Sequence, residues 1–217
     1  IRELGRGAQG STKAGIADTY AAKAQRAGVR VERLLGSHDS LLQVVRDGLE
    51  SVQMARKEHG LPSVDVENEV KLYAAALQKL QPFVADTSVY VNQQLQDGAT
   101  VLAEGAQAFL LDIDHGMYPF VTSSSTTAGG VAAGLGIAPT TLERSIGIVK
   151  AVQSHVGGGP FVTEIHDEKL LDVLHGDMST IDAEKGTTTG RVRWLGYLDI
   201  TGIRRANMVN GTTELAI

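Results

Sequence analysis

The feature that most constrains this chain is a change of texture at Gly98. Between Ser40 and Asp97 apolar residues return at helical spacing. Leu41, Leu42, Val44, Val45, Leu49 and Val52 form one stripe, and Val66, Val70, Tyr73, Leu77 and Leu80 form a second. Gly60 and Pro62 separate these two helices, Asp86 or Thr87 stands where a third would be capped, and Gly98 ends it. Beyond Gly98 the apolar runs shorten and glycine punctuates them. "TVLAEGAQ" reads as a strand that breaks at Gly105, and "LERSIGIVKAVQSHVGGGP" runs from helix into a β-branched stretch that stops at three glycines. "RVRWLGYLDI" and the terminal "ELAI" also read as strands. Helices alternating with isolated apolar strands predict a single α/β domain over residues 1–217. Its expected architecture is a mainly parallel central sheet flanked by helices, with a helical subregion near 40–97.

Composition narrows what such a domain does. Hydrophobic residues make up 42% of 217, enough for a sizeable core. Aromatics are only 5% and the net charge is −5 with no Lys/Arg run, which argues against a stacking platform for nucleic acid and against a general polyanion binder. Any bound anion is therefore expected to be small and held in a defined pocket. The absence of cysteine excludes disulfide scaffolds and cysteine zinc sites and favours a reducing, cytoplasmic setting. No apolar run reaches membrane-spanning length. A start at Ile1 rather than methionine leads us to expect processing, truncation or further residues upstream.

Generic catalytic signatures are missing. "GSTKAG" has the wrong spacing for a phosphate loop, no clean G-x-G-x-x-G occurs, and there is no G-x-S-x-G. "DIDHG", from Asp112 to Gly116, offers carboxylates and an imidazole but no second cluster at metal-ligand spacing. A turn-forming aspartate with a hydrogen-bonded histidine is the better reading, and no metal ligand is assigned within these residues. His166 and His175 stand alone and receive no role.

Four stretches have the chemistry of a small-anion site. Lys23, Arg26 and Arg30 fall at i, i+3 and i+7, one face if the segment is helical; a solvated basic face satisfies the same pattern. Gln107, in "EGAQ", lies just beyond a strand end, where α/β sheets bind ligands and a carboxamide can both donate and accept. "VTSSSTTAGG" clusters hydroxyls and backbone N–H groups, a phosphate cradle if it opens onto a helix, otherwise a Ser/Thr-rich loop. In "TTTGRVRW" Arg191 and Arg193 share a side if the backbone is extended. Charge-assisted hydrogen bonds there contribute roughly 1.5–3 kcal/mol each when water is excluded, and almost nothing on an open strand.

Together these stretches resemble adenylosuccinate synthetase. "VLAEGAQAFLLDIDHGMYPFVTSSSTTAGG" is similar to a signature region of that family, and "GSTKAGIADTYAAKAQRAGVRV", "VGGGPFVTEIHDE" and "GTTTGRVRWLGYLDI" to others, in the family's order and over nearly the whole chain. The resemblance implies a P-loop-NTPase-like nucleotide-binding architecture. It also implies GTP-dependent ligation of IMP and L-aspartate to adenylosuccinate in AMP biosynthesis, releasing GDP and phosphate, with Mg2+ as cofactor. By resemblance Gln107 meets the reacting 6-position of IMP and is the catalytic contact. Thr12 and Thr122 reach the IMP phosphate, and Val156 and Gly157 the ribose. Arg26 would reach the IMP phosphate of the neighbouring subunit, implying a homodimer with shared sites. Thr187, Thr188, Thr189, Gly190 and Arg191 form the loop that closes on aspartate, with Arg191 also near the IMP ribose, and Arg193 faces the GTP phosphates.

The chain departs from the family pattern at several positions. Ala108 replaces a usual glycine, Ser125 an asparagine, His155 an arginine and Val162 a proline, and "AGIADTYAAK" lacks the usual glycine-proline. The family's N-terminal nucleotide loop with its catalytic aspartate, the following general-acid histidine and the guanine-reading Lys-x-Asp are not among these residues. Mg2+ ligands are accordingly expected outside them, and the chain is expected to be incomplete at both ends relative to the family. Two other readings are a non-catalytic nucleotide-binding fragment and a paralogue acting on dGMP in place of IMP.

Overall fold

A computed structural model describes residues 14–180, 183–186 and 190–217. In chain order it contains helices α1 (Ile16–Ala24), α2 (His38–Glu58), α3 (Val66–Leu80), α4 (Thr87–Gln96) and α5 (Ala128–Leu135). Strands β1 (Ile146–Ile148) and β2 (Gln153–His155), helix α6 (Glu168–His175), strand β3 (Trp194–Gly196), helix α7 (Ile200–Asn210) and strand β4 (Glu214–Ala216) follow. Contacts divide the chain into two compact units, Gln25–Tyr90 on one side and Ile1–Ala24 with Val91–Ile217 on the other.

The unit Gln25–Tyr90 is the helical region predicted from the two stripes. Ser37 caps α2 by accepting from the Ser40 amide at 3.3 Å, and Asp65 caps α3 through Asn68 at 3.1 Å. The turn between them is fastened by side chains. Gln53 Oε1 accepts from the Val64 amide at 2.7 Å, and Arg56 Nε donates to the Pro62 carbonyl at 2.7 Å. Leu34, Leu41 and Val70 form its buried centre. Of the two expected caps for α4, Asp86 is the one used: its Oδ1 accepts from Ser88 and Val89, each at 3.1 Å.

The other unit holds all the described strands, in a smaller arrangement than expected. β1 pairs with β4 in parallel, Gly147 opposite Leu215, and β2 pairs with β3 antiparallel, Ser154 opposite Leu195. The chain is α/β with a small parallel sheet, and among the described residues the strands form two separate pairs rather than one mainly parallel sheet. The expected strand at "TVLAEG" is not formed. The segment is irregular and Leu102 remains 86% exposed, because no neighbouring strand offers it a ladder. The helix expected to open "LERSIGIV" is also absent. Arg144 makes a bidentate pair with Glu214, and the Ser145 carbonyl accepts from the Thr213 amide at 2.8 Å, so β4 holds this segment extended.

The basic helix face is likewise corrected. α1 ends at Ala24, Arg26 takes a left-handed φ of 62°, and Arg30 is extended, so Lys23, Arg26 and Arg30 do not share one helix. A non-glycine residue in that conformation stops a helix rather than continuing it.

Candidate functional site

Asp112 organises the hydroxyl-rich segment. Its side chain is fully buried, and both oxygens are occupied. Oδ1 accepts from the amides of Asp114 and His115, both at 2.9 Å, while Oδ2 accepts from the Thr126 amide at 2.7 Å and the Ser125 hydroxyl at 3.1 Å. Burial alone would raise this carboxyl's pKa; the four donors outweigh it and hold the pKa below the ordinary aspartate value. Asp112 is thus a turn-former, as its sequence context predicts. The turn also requires Gly116, where a Cβ would strike the carbonyl oxygens of Leu110 and Asp112.

This hub fixes the neighbours of two predicted substrate contacts. Thr126 Oγ1 donates to the Ala108 carbonyl at 3.2 Å, next to Gln107, and the Thr122 amide donates to the Leu111 carbonyl at 2.8 Å. Gln107 is exposed and held at φ 67°, a left-handed conformation that costs a non-glycine residue roughly 1–2 kcal/mol. The phosphate cradle expected of "VTSSSTTAGG" is less open than its composition implies. The amides of Thr122, Thr126, Ala128 and Gly130 already have acceptors, that of Ala128 being Asn210 Oδ1 on α7 at 2.8 Å.

The glycine loop after β2 packs against the same segment. A Cβ at Gly159, whose φ is 111°, would lie 2.7 Å from the Phe120 ring, so only glycine allows that approach. Val156 is partly exposed, and Gly157 has a φ of 133°. His155 packs at a tilt beside both Phe161 and Trp194, its Nε2 3.2 Å from the Gly158 carbonyl.

Gly186 is joined to Gly190 and Arg191 by backbone hydrogen bonds. Gly190, at φ 64°, donates to the Gly186 carbonyl at 2.7 Å, and the Gly186 amide donates to the Arg191 carbonyl at 2.8 Å. The Arg191 side chain is exposed, whereas Arg193 is gripped along its length. The Arg193 amide donates to the Glu184 carbonyl at 3.0 Å, and its own carbonyl accepts from His175 Nε2 at 2.9 Å. Nη1 donates to Ser154 Oγ at 3.1 Å and lies 3.8 Å from Glu184 Oε2, while Nε is buried without an acceptor. Glu184 in turn pairs with Lys150, whose Nζ also donates to Ser154 Oγ at 3.2 Å.

Gln107, Thr122, Val156, Gly157 and Arg193 all belong to one unit, where Thr126 bonds to Ala108 beside Gln107, Phe120 meets Gly159, and Ser154 meets Arg193. Gly190 and Arg191 close the loop that leads into Arg193. Arg26 belongs to the other unit. Thr12, Thr187, Thr188 and Thr189 lie outside the described residues. A shallow hollow beside Glu32, Arg33, Ser37 and Leu41 includes none of the predicted residues. Sequence reading missed Lys150, Ser154 and Glu184 and gave His175 no role. Nothing local in the sequence marks these residues.

The family model for adenylosuccinate synthetase matches residues 1–217. The chain belongs to the adenylosuccinate synthetase family. It is 42% identical over 214 residues to adenylosuccinate synthetase 1 of Laccaria bicolor, covering 98% of this chain and 48% of the relative. To the adenylosuccinate synthetase of Oceanobacillus iheyensis it is 40% identical over 219 residues, covering 100% of this chain and 50% of that one. Among solved structures, the fully ligated adenylosuccinate synthetase of Plasmodium falciparum superposes with a TM-score of 0.81 at 34% identity, over 95% of this chain and 47% of its own. The chain thus spans about half the length of the relatives it matches.

Proposed function

We propose that this chain carries the IMP and aspartate side of an adenylosuccinate synthetase, a carbon–nitrogen ligase that joins IMP to L-aspartate at the expense of GTP in AMP biosynthesis. The observation that carries the reading is the family match over residues 1–217. The whole enzyme would have a P-loop-NTPase-like architecture, act as a cytoplasmic homodimer and use Mg2+. Among the described residues no helix is long and apolar enough to cross a membrane.

The purine 6-oxygen leaves poorly until it is phosphorylated, so the chemistry reduces to positioning and charge stabilisation. Gln107 presents its carboxamide to the 6-position from a strained backbone that fixes its direction. Thr12 and Thr122 hold the IMP phosphate, Val156 and Gly157 orient the ribose, and Arg26 reaches the phosphate in the neighbouring subunit. Thr187, Thr188, Thr189, Gly190 and Arg191 close on the aspartate carboxylates and exclude water from the attacking amine. Arg193 neutralises charge on the GTP phosphates. Mg2+ would supply further charge neutralisation, but the described residues do not fit it. They contain no cluster of three potential ligands, and both Asp112 oxygens are occupied by donors.

The test is consumption of aspartate by the full-length enzyme. Turnover is expected only with IMP, GTP and Mg2+ together, and turnover without GTP sinks the proposal. Faster turnover of dGMP than of IMP would move the enzyme to the paralogous reaction.

A further inference from the structure

The group around Glu184 has a charge balance that the substrate assignments leave unused. Two cations, Lys150 and Arg193, share one carboxylate; Glu184 and Arg193 are partly shielded from water and Lys150 is half-exposed. Glu184 hydrogen-bonds Lys150 but stands 3.8 Å from Arg193 Nη1, too far for a hydrogen bond. Lys150 therefore neutralises most of the carboxylate, and Arg193 keeps its positive charge while the Glu184 backbone and Ser154 fix its place.

We propose that Lys150 and Glu184 are positioning residues for Arg193: together they set the net charge that Arg193 offers to a polyphosphate. This rests on the assignment of Arg193 to the GTP phosphates. Without Lys150 the carboxylate faces Arg193 alone, and an incoming phosphate meets a neutral pair instead of a net positive charge. Without the Glu184 charge the site carries two unbalanced cations. Removing both charges restores the original balance, because Arg193 alone is again a single positive charge.

That cancellation separates charge balance from packing and from direct contact between Lys150 and the anion. The chain has one tryptophan, Trp194, beside Arg193 and half-exposed, so its fluorescence reports on this place. Inorganic pyrophosphate is titrated into the parent protein and into Lys150→Met, Glu184→Gln and the double variant, following Trp194. Lys150→Met should weaken binding about tenfold, Glu184→Gln should not weaken it, and the double variant should return to within about threefold of the parent. A double variant as weak as Lys150→Met, an unchanged Lys150→Met, or no response in the parent overturns the proposal. Thermal melts of each variant identify any loss due to misfolding, and Lys150→Arg, which keeps the charge, should bind like the parent. The aspartate-consumption assay stands apart: its failure with an intact charge series strikes the ligase reading alone.

Discussion

The Ser125 hydroxyl donates to Asp112 Oδ2 at 3.1 Å and lies 3.0 Å from Thr127 Oγ1, so the residue that replaces the family's usual asparagine completes the shell of the buried carboxylate. The substitution leaves the hydroxyl loop tied to the turn at Asp112. It also couples the placement of Ala108, and hence Gln107, to a single titratable group through Thr126.

Asp112 should therefore contribute to the acid limb of stability. Its folded-state pKa is lowered, with burial opposing and four hydrogen bonds prevailing. Such a group contributes stability that is fully present above the unfolded-state value, about 3.9, and is lost as pH falls through the lower folded value. Asp112→Asn keeps the shape but turns an amide toward donors on one side, and should cost about 2–3 kcal/mol at neutral pH. Urea denaturation of both proteins across pH 2–7 checks this. The variant's curve should be flatter on the acid side, and parallel curves would remove Asp112 from the account.

Gln107 should show opposed effects on stability and activity. Its backbone sits at φ 67°, where glycine is at ease and glutamine is strained. Gln107→Gly should leave stability unchanged or raise it by up to about 1 kcal/mol, while turnover falls by about a hundredfold or more. Denaturation midpoints and kcat on one preparation suffice. A variant both less stable and fully active would contradict the assignment.

Arg191 is predicted to act on aspartate rather than on the fold. Its side chain is exposed, and the loop is closed by backbone bonds to Gly186 that a substitution leaves in place. Arg191→Leu should raise the KM for aspartate about tenfold or more with little change in melting temperature. Lost stability with unchanged aspartate kinetics would refute the assignment.

How far these sites were legible depends on whether the determining contacts were local. The helices of residues 40–97 and the cap at Asp86 were readable because stripe, cap and terminator lie within a few residues of one another, whereas the cap at Asp65 went unread. The short strands misled for the opposite reason. "TVLAEG" has strand composition but no partner, and "LERS" has helix composition but is held extended by Thr213 and Glu214, nearly seventy residues away. The site followed the same division. Gln107 and Arg193 stand in recognisable motifs, whereas Glu184 and His175 become relevant only when the chain folds Arg193 between them.

Arg26 offers the test of a shared site. It is exposed and already left-handed at φ 62°, so Arg26→Leu trades one strained side chain for another and should barely alter stability. If Arg26 serves the neighbouring subunit of a dimer, Arg26→Leu and Gln107→Ala homodimers are each inactive for different reasons. A hybrid carries one site with both defects and one with neither. Random mixing makes half the dimers hybrid, each with one intact site, so activity should recover to about a quarter of the parent level. Subunits are mixed under mild dissociating conditions and assayed for aspartate consumption against IMP. Recovery near that level places Arg26 across the interface. No recovery, with hybrids verified by mass under native conditions, places it in the site of its own subunit.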